Sequence, residues 1–122
     1  MDVDDRTRMS IVALCLVATA YGVGVGGVML ALALFVGPHM LIGAITHVTF
    51  GIAFFISAIA VAHDRRWGYW LTIFSATVVA IIGVVAVCQA WPAIDGVTIW
   101  SILSLFFLSF AAVTWRTART CS

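Results

Sequence analysis

The sequence predicts an all-α integral membrane protein: four transmembrane helices in an antiparallel up-down bundle, with both termini cytoplasmic. Three observations carry this. Of the 122 residues, 64% are hydrophobic and only 9% charged, and the mean hydropathy is +1.19. A soluble domain of this size cannot bury that much apolar surface, because small domains leave a large share of their area in water. Four uncharged runs, at about 10–36, 40–62, 68–90 and 97–115, each reach the roughly 18 residues that mark a membrane span. Finally, every arginine falls outside these runs. Membrane β-strands alternate polar and apolar residues, whereas these runs are apolar all round, so a barrel is excluded. The spans account for a single transmembrane domain over residues 1–122, without a separate soluble domain.

Residues 1–9 are polar and mix aspartates with Arg6 and Arg8. The first span follows from about Ser10. Its start imitates a signal peptide, with Ala18-Thr19-Ala20 as a cleavage-like triplet, but the apolar run continues well past that point. An uncleaved helix is expected. Gly37-Pro38 ends it, since proline disfavours helical geometry at the residue before it. The second span closes at the charged turn His63-Asp64-Arg65-Arg66, and Trp67, Tyr69 and Trp70 open the third. Trp91 to Gly96 forms the last connection, and residues 116–122 a polar tail. Connections this short make neighbouring helices antiparallel.

The six arginines lie in the amino terminus, the second connection and the carboxyl terminus, and none lies in the first or third connection. The positive-inside rule therefore puts both termini and the Arg65-Arg66 turn in the cytoplasm, in a multi-pass protein of the cell membrane. Arg65 and Arg66 serve as topogenic charges, and as contacts for a soluble partner or for anionic lipid. Trp67, Tyr69, Trp70 and Trp115 mark the inner membrane interface, and Trp91 the outer one. A net charge of +1 leaves no basic patch for nucleic acid. Three cysteines, Cys15, Cys88 and Cys121, with no CxxC spacing, make neither a disulfide framework nor a zinc site. No metal is expected.

The second span holds the row Gly43, His47, Gly51, which falls within an arc of roughly 80° on one helix face. In the first span Gly22 and Gly26 make a GxxxG pair, joined by Gly27. Small residues at this spacing let helix backbones approach where lipid offers no hydrophobic drive. Folding each pair of spans about its turn sets His47 level with Gly26 and Gly27, and Gly83 level with Ser104 or Leu105. Helix packing is thus assigned to Gly22, Gly26, Gly27, Gly43, Gly51 and Gly83.

His47 is the one ionisable side chain well inside a span. Intramembrane ionisable residues default to functional hypotheses. The candidate polar or ligand positions are therefore His47, Thr46 and Ser104. In a purely structural role the imidazole bonds a backbone carbonyl, Thr46, Ser104 or Tyr21, and bolts helices together. No cofactor is expected. Haem through His47 needs a second histidine at similar depth, which only a second chain supplies, because His39 and His63 sit near the opposite ends of the same span.

No carboxylate or arginine lies within the apolar runs. Proton- and sodium-coupled transporters usually place acids there. The chain resembles the small four-helix multidrug exporters in size and span number, but those carry a glutamate in the first helix and this chain has none. The turn Arg65-Arg66-Trp67-Gly68 is similar to that of many small four-span bacterial and archaeal membrane proteins, a resemblance that implies no activity. Nucleophile, base and orienting acid cannot be assembled at one depth, so no enzyme is expected. The expected function is that of a non-catalytic accessory or structural subunit of a larger membrane assembly, with lipid, other membrane subunits or its own copies as partners. The alternatives are a small oligomeric uncoupled channel or carrier, and a haem- or quinone-associated anchor.

Overall fold

The computed structural model describes residues 4–91 and 94–120. They form four helices: α1, Asp5–Val36; α2, His39–Ala62; α3, Arg66–Ala90; and α4, Ile94–Thr120. Among the described residues there is no strand. All four helices are long and apolar enough to cross a membrane. Many of their residues are valine, isoleucine and threonine, which are mediocre helix formers in water. In a hydrocarbon setting the backbone must satisfy its own polar groups, and the helix does so within one segment.

The side-chain hydroxyls follow the same logic. Thr19, Thr46, Thr49, Ser57, Thr72 and Thr114 each donate to the carbonyl four residues back, at 2.7–2.8 Å. Two side chains instead reach across helices. Ser104 of α4 donates to the Ala80 carbonyl of α3 at 3.3 Å. The Cys15 thiol lies 3.6 Å from the Thr72 hydroxyl. Because Thr72 spends its proton on Gly68, the thiol is the donor.

The helices overrun the spans expected from hydropathy at several ends. α1 begins at Asp5, where an acid in the first turn suits the positive end of the helix dipole and Arg8 pairs with Asp5 at 2.7 Å. α4 begins at Ile94, so Asp95 and Gly96 are helical and not loop, again with the acid in the first turn. The tail is also helical as far as Thr120, its Thr117 hydroxyl donating to the Val113 carbonyl. Pro92, Ala93, Cys121 and Ser122 lie outside the described residues. At 32 residues, α1 spans about 48 Å, well beyond a hydrocarbon core of about 30 Å.

Two turns are built in particular ways. Gly37 follows α1 with φ 141°, a conformation that needs glycine. After α2, Asp64 takes the left-handed conformation at φ 57°. The Arg65 amide donates to Ala60 and the Asp64 amide to Val61, which is a Schellman closure with aspartate in the usual glycine position. Asp64 Oδ1 also lies 4.0 Å from Arg8 of α1. The charged turn is therefore a folded unit tied to α1.

Packing occurs chiefly between α1 and α2, between α3 and α4, and along the seam between α2 and α3. The core lies toward the end that holds the Asp64 turn. It collects Ile11, Cys15 and Ala18 from α1, Phe54 and Val61 from α2, Tyr69 and Ala76 from α3, and Phe107 and Phe110 from α4. Phe54 meets Phe107 and Phe110 at ring separations of 5.8 and 6.3 Å. Toward the other end the buried positions are small residues such as Gly26, Ala44 and Gly83, while Leu34, Phe35, Ile42 and Trp91 are exposed. Tyr69 departs from its expected place in the interfacial belt, being fully buried. Gly68 beside it lets α3 approach the α2 backbone at Ala60 and Val61. Trp67, Trp70 and Trp115 are exposed, and Trp70 meets Trp115 edge-on at 5.2 Å.

Candidate functional site

Above the aromatic core, at mid-span, the four helices line a partly open cavity of about 70 Å³. That is room for a few water molecules, since one occupies roughly 10–15 Å³ on this measure. Tyr21 of α1, Thr46 and His47 of α2, Gly83 of α3, and Trp100 and Phe107 of α4 are among its walls.

The cavity exists because the helices beside it cannot all be equally close. A Cβ on Gly22 would lie 2.7 Å from the His47 carbonyl oxygen and 2.8 Å from Gly51 Cα. One on Gly26 would meet the backbone of Ala44 and Val48, the residues that bracket His47. α1 and α2 thus touch backbone to backbone. Gly51 receives Val23 in return, and Gly43 receives the flexible end of Met29. On the other side of the bundle Gly83 faces the Ser104 hydroxyl, leaving no room for a methyl group. Gly27 differs from the expectation: it is exposed, with nothing within 4 Å of a Cβ built there. One residue is 100° of helix rotation, which turns Gly27 off the face that Gly26 presents to α2.

His47 is half-buried, and its Nδ1 lies 2.7 Å from the Gly43 carbonyl oxygen of the preceding turn. A carbonyl only accepts, so Nδ1 carries the proton and, in the neutral ring, Nε2 is a free acceptor. Tyr21 is the ring neighbour, 6.0 Å between centroids and tilted by 55°. The imidazole therefore bonds its own helix and does not bolt α2 to another. Thr46, also on the cavity wall, donates to Ile42 and retains an acceptor oxygen. Ser104 lies away from the wall, its hydroxyl committed to Ala80. The site thus presents acceptors on α2 and an aromatic surround, suited to water or a small ligand that donates hydrogen bonds. His39 and His63 flank α2 at its two ends, about 12 and 24 Å along the axis from His47. No group of three or more metal-ligating side chains is present among the described residues.

Arg65 and Arg66 are exposed at the start of α3, and among the described residues neither has an ion-pair partner. Trp100, Phe54 and Phe107 are cavity residues that hydropathy does not single out, because lipid-facing and cavity-facing aromatics read alike.

Fold and site together define a class: an all-helical, multi-pass membrane protein with a small, mostly apolar pocket at mid-span that His47 and Thr46 border. Compared with known proteins, the chain matches no family model, no curated protein and no solved structure.

Proposed function

We propose that this chain is a non-catalytic accessory subunit of a larger membrane assembly, an antiparallel up-down bundle with both termini cytoplasmic. The antiparallel reading is supported by the order of contacts, since Gly22 meets Gly51 while Gly26 meets Ala44. The orientation is supported by the arginines at the two termini and the Asp64 turn.

One observation carries the accessory role. Ala20, Gly24, Gly27 and Ala31 are all exposed and share an arc of roughly 60° on α1. Nothing lies within 4 Å of a Cβ at either glycine. This is a second small-residue face, separate from the Gly22–Gly26 face that α2 covers. Small residues toward lipid gain little, whereas against another helix they allow close approach. The occupant is a helix of another subunit or of a second copy.

Gly27→Leu is expected to dissociate the native assembly, weakening it by about ten-fold or more, while leaving the fold intact. Blue-native electrophoresis of mildly solubilised membranes measures this against a Val28→Leu control. An assembly that survives Gly27→Leu, or a wild-type chain that runs as a solitary monomer, would overturn the role.

The cavity favours a second reading, a small uncoupled channel or carrier in which His47 and Thr46 line the path. Liposome flux of a small hydrogen-bond donor such as urea or ammonia is then expected to change by at least several-fold in His47→Phe, which keeps a ring of similar size and removes the Nε2 acceptor. Flux equal to wild type removes His47 from any path.

A further inference from the structure

We propose that the groove beside the Asp64 turn is a binding site for one anionic phospholipid. The groove, of about 410 Å³, is lined by Ile56, Ile59, Ala60, His63, Arg65 and Trp67. Its two ends differ in chemistry. Ile56 and Ile59 form an apolar wall along the last turns of α2, and His63, Arg65 and Trp67 gather where the chain turns into α3. An apolar track leading to a guanidinium, an imidazole and an indole matches an acyl chain leading to a phosphodiester.

Charge supports the same occupant. The acid nearest in sequence, Asp64, lies against Arg8 of α1. Arg65 has no ion-pair partner among the described residues, so its charge is left for a ligand. Guanidinium is the side chain best shaped to bond a phosphate through two parallel N–H groups. Trp67 is exposed beside it, and tryptophan prefers headgroup depth, where its ring sits among acyl chains and its N–H reaches polar groups. The adjacent Arg66 carries the same charge at almost the same depth but does not line the groove. A general attraction of basic residues to an anionic surface treats Arg65 and Arg66 alike; a built site does not.

That contrast defines the experiment. The purified chain in non-ionic detergent is titrated with phosphatidylglycerol, with phosphatidylcholine of the same acyl chains, and with inorganic phosphate. Bound lipid is read by native mass spectrometry and protection by the thermal unfolding midpoint. Wild type is expected to retain phosphatidylglycerol over phosphatidylcholine by roughly five-fold, the scale of one cation at a lipid surface. Inorganic phosphate should give no protection. Arg65→Gln should abolish the preference and Arg66→Gln should leave it. Trp67→Leu should weaken retention of both lipids, because it removes part of the shared apolar wall. Equal retention of the two lipids by wild type, equal effects of Arg65→Gln and Arg66→Gln, or protection by inorganic phosphate alone would each overturn the site. All three substitutions are at exposed positions, and circular dichroism of each variant confirms that helix content is unchanged.

Discussion

Gly22→Ala is expected to destabilise the bundle by about 3 kcal/mol, the upper end of what overpacking a tight junction costs. The added methyl group would lie 2.7 Å from the His47 carbonyl oxygen, 2.8 Å from Gly51 Cα and 3.0 Å from the Gly51 amide nitrogen. All three atoms are backbone, and a helix backbone cannot rotate away as a side chain does. α1 must then move off α2, which also loosens the reciprocal contact of Val23 on Gly51. The control lies two residues along the same helix. Gly24→Ala meets nothing within 4 Å and is expected to be neutral or slightly stabilising, since alanine is the better helix former. Denaturant-induced unfolding in mixed micelles, followed by circular dichroism, compares the two. Equal losses at Gly22 and Gly24 would mean that the junction is not what holds α1 to α2.

This pair of glycines also shows where a membrane sequence is legible and where it is not. Span existence and depth are written in it. The charges bound the apolar runs, and a fixed rise per residue sets His47 level with Gly26, whose neighbours in the structure are Ala44 and Val48. The same reckoning pairs Gly83 with Ser104, which touch. Face is not written in the same way. In a soluble helix the polar side names the outward face, but here lipid and protein interior are equally apolar, so neither side of α1 announces itself. Gly26 and Gly27 are adjacent in sequence and opposite in fate for that reason. Tyr69 and Trp70 repeat the lesson at the turn, one buried and one exposed, from a run of aromatics that reads as a uniform interfacial belt. The direction of a hydroxyl is equally silent. Thr46 and Ser104 look alike as polar points in apolar runs, yet one lines the cavity and the other bonds the α3 backbone. The helices run past the apolar spans for a different reason, since hydropathy reports where a chain leaves the hydrocarbon, whereas helical hydrogen bonding continues into the headgroup region.

Gly68→Ala is expected to have an effect comparable to Gly22→Ala, about 2–3 kcal/mol, but along a different boundary. Its Cβ would lie 2.6 Å from Ala60 Cβ, 2.9 Å from the Val61 nitrogen and 3.0 Å from the Ala60 carbonyl carbon. These atoms belong to α2, so the substitution strains the seam between α2 and α3, whereas Gly22 strains the contact of α1 with α2. The contacts of α1 on α2 and of α3 on α4 are left in place, and helix content should therefore hold while the two pairs separate. The chain carries its own reporter for that event. Cys15 of α1 is fully buried, its thiol against Thr72 one turn beyond Gly68. Moving α3 away uncovers it. With Cys88 and Cys121 replaced by serine, Cys15 should react with a small membrane-permeant thiol reagent at least ten-fold faster in Gly68→Ala than in the parent. Gly24→Ala should leave the rate at the parental value. A Cys15 thiol as protected in Gly68→Ala as in the parent would show that the seam tolerates the methyl group. The close approach at Ala60 and Val61 would then not be what keeps Tyr69 in the core.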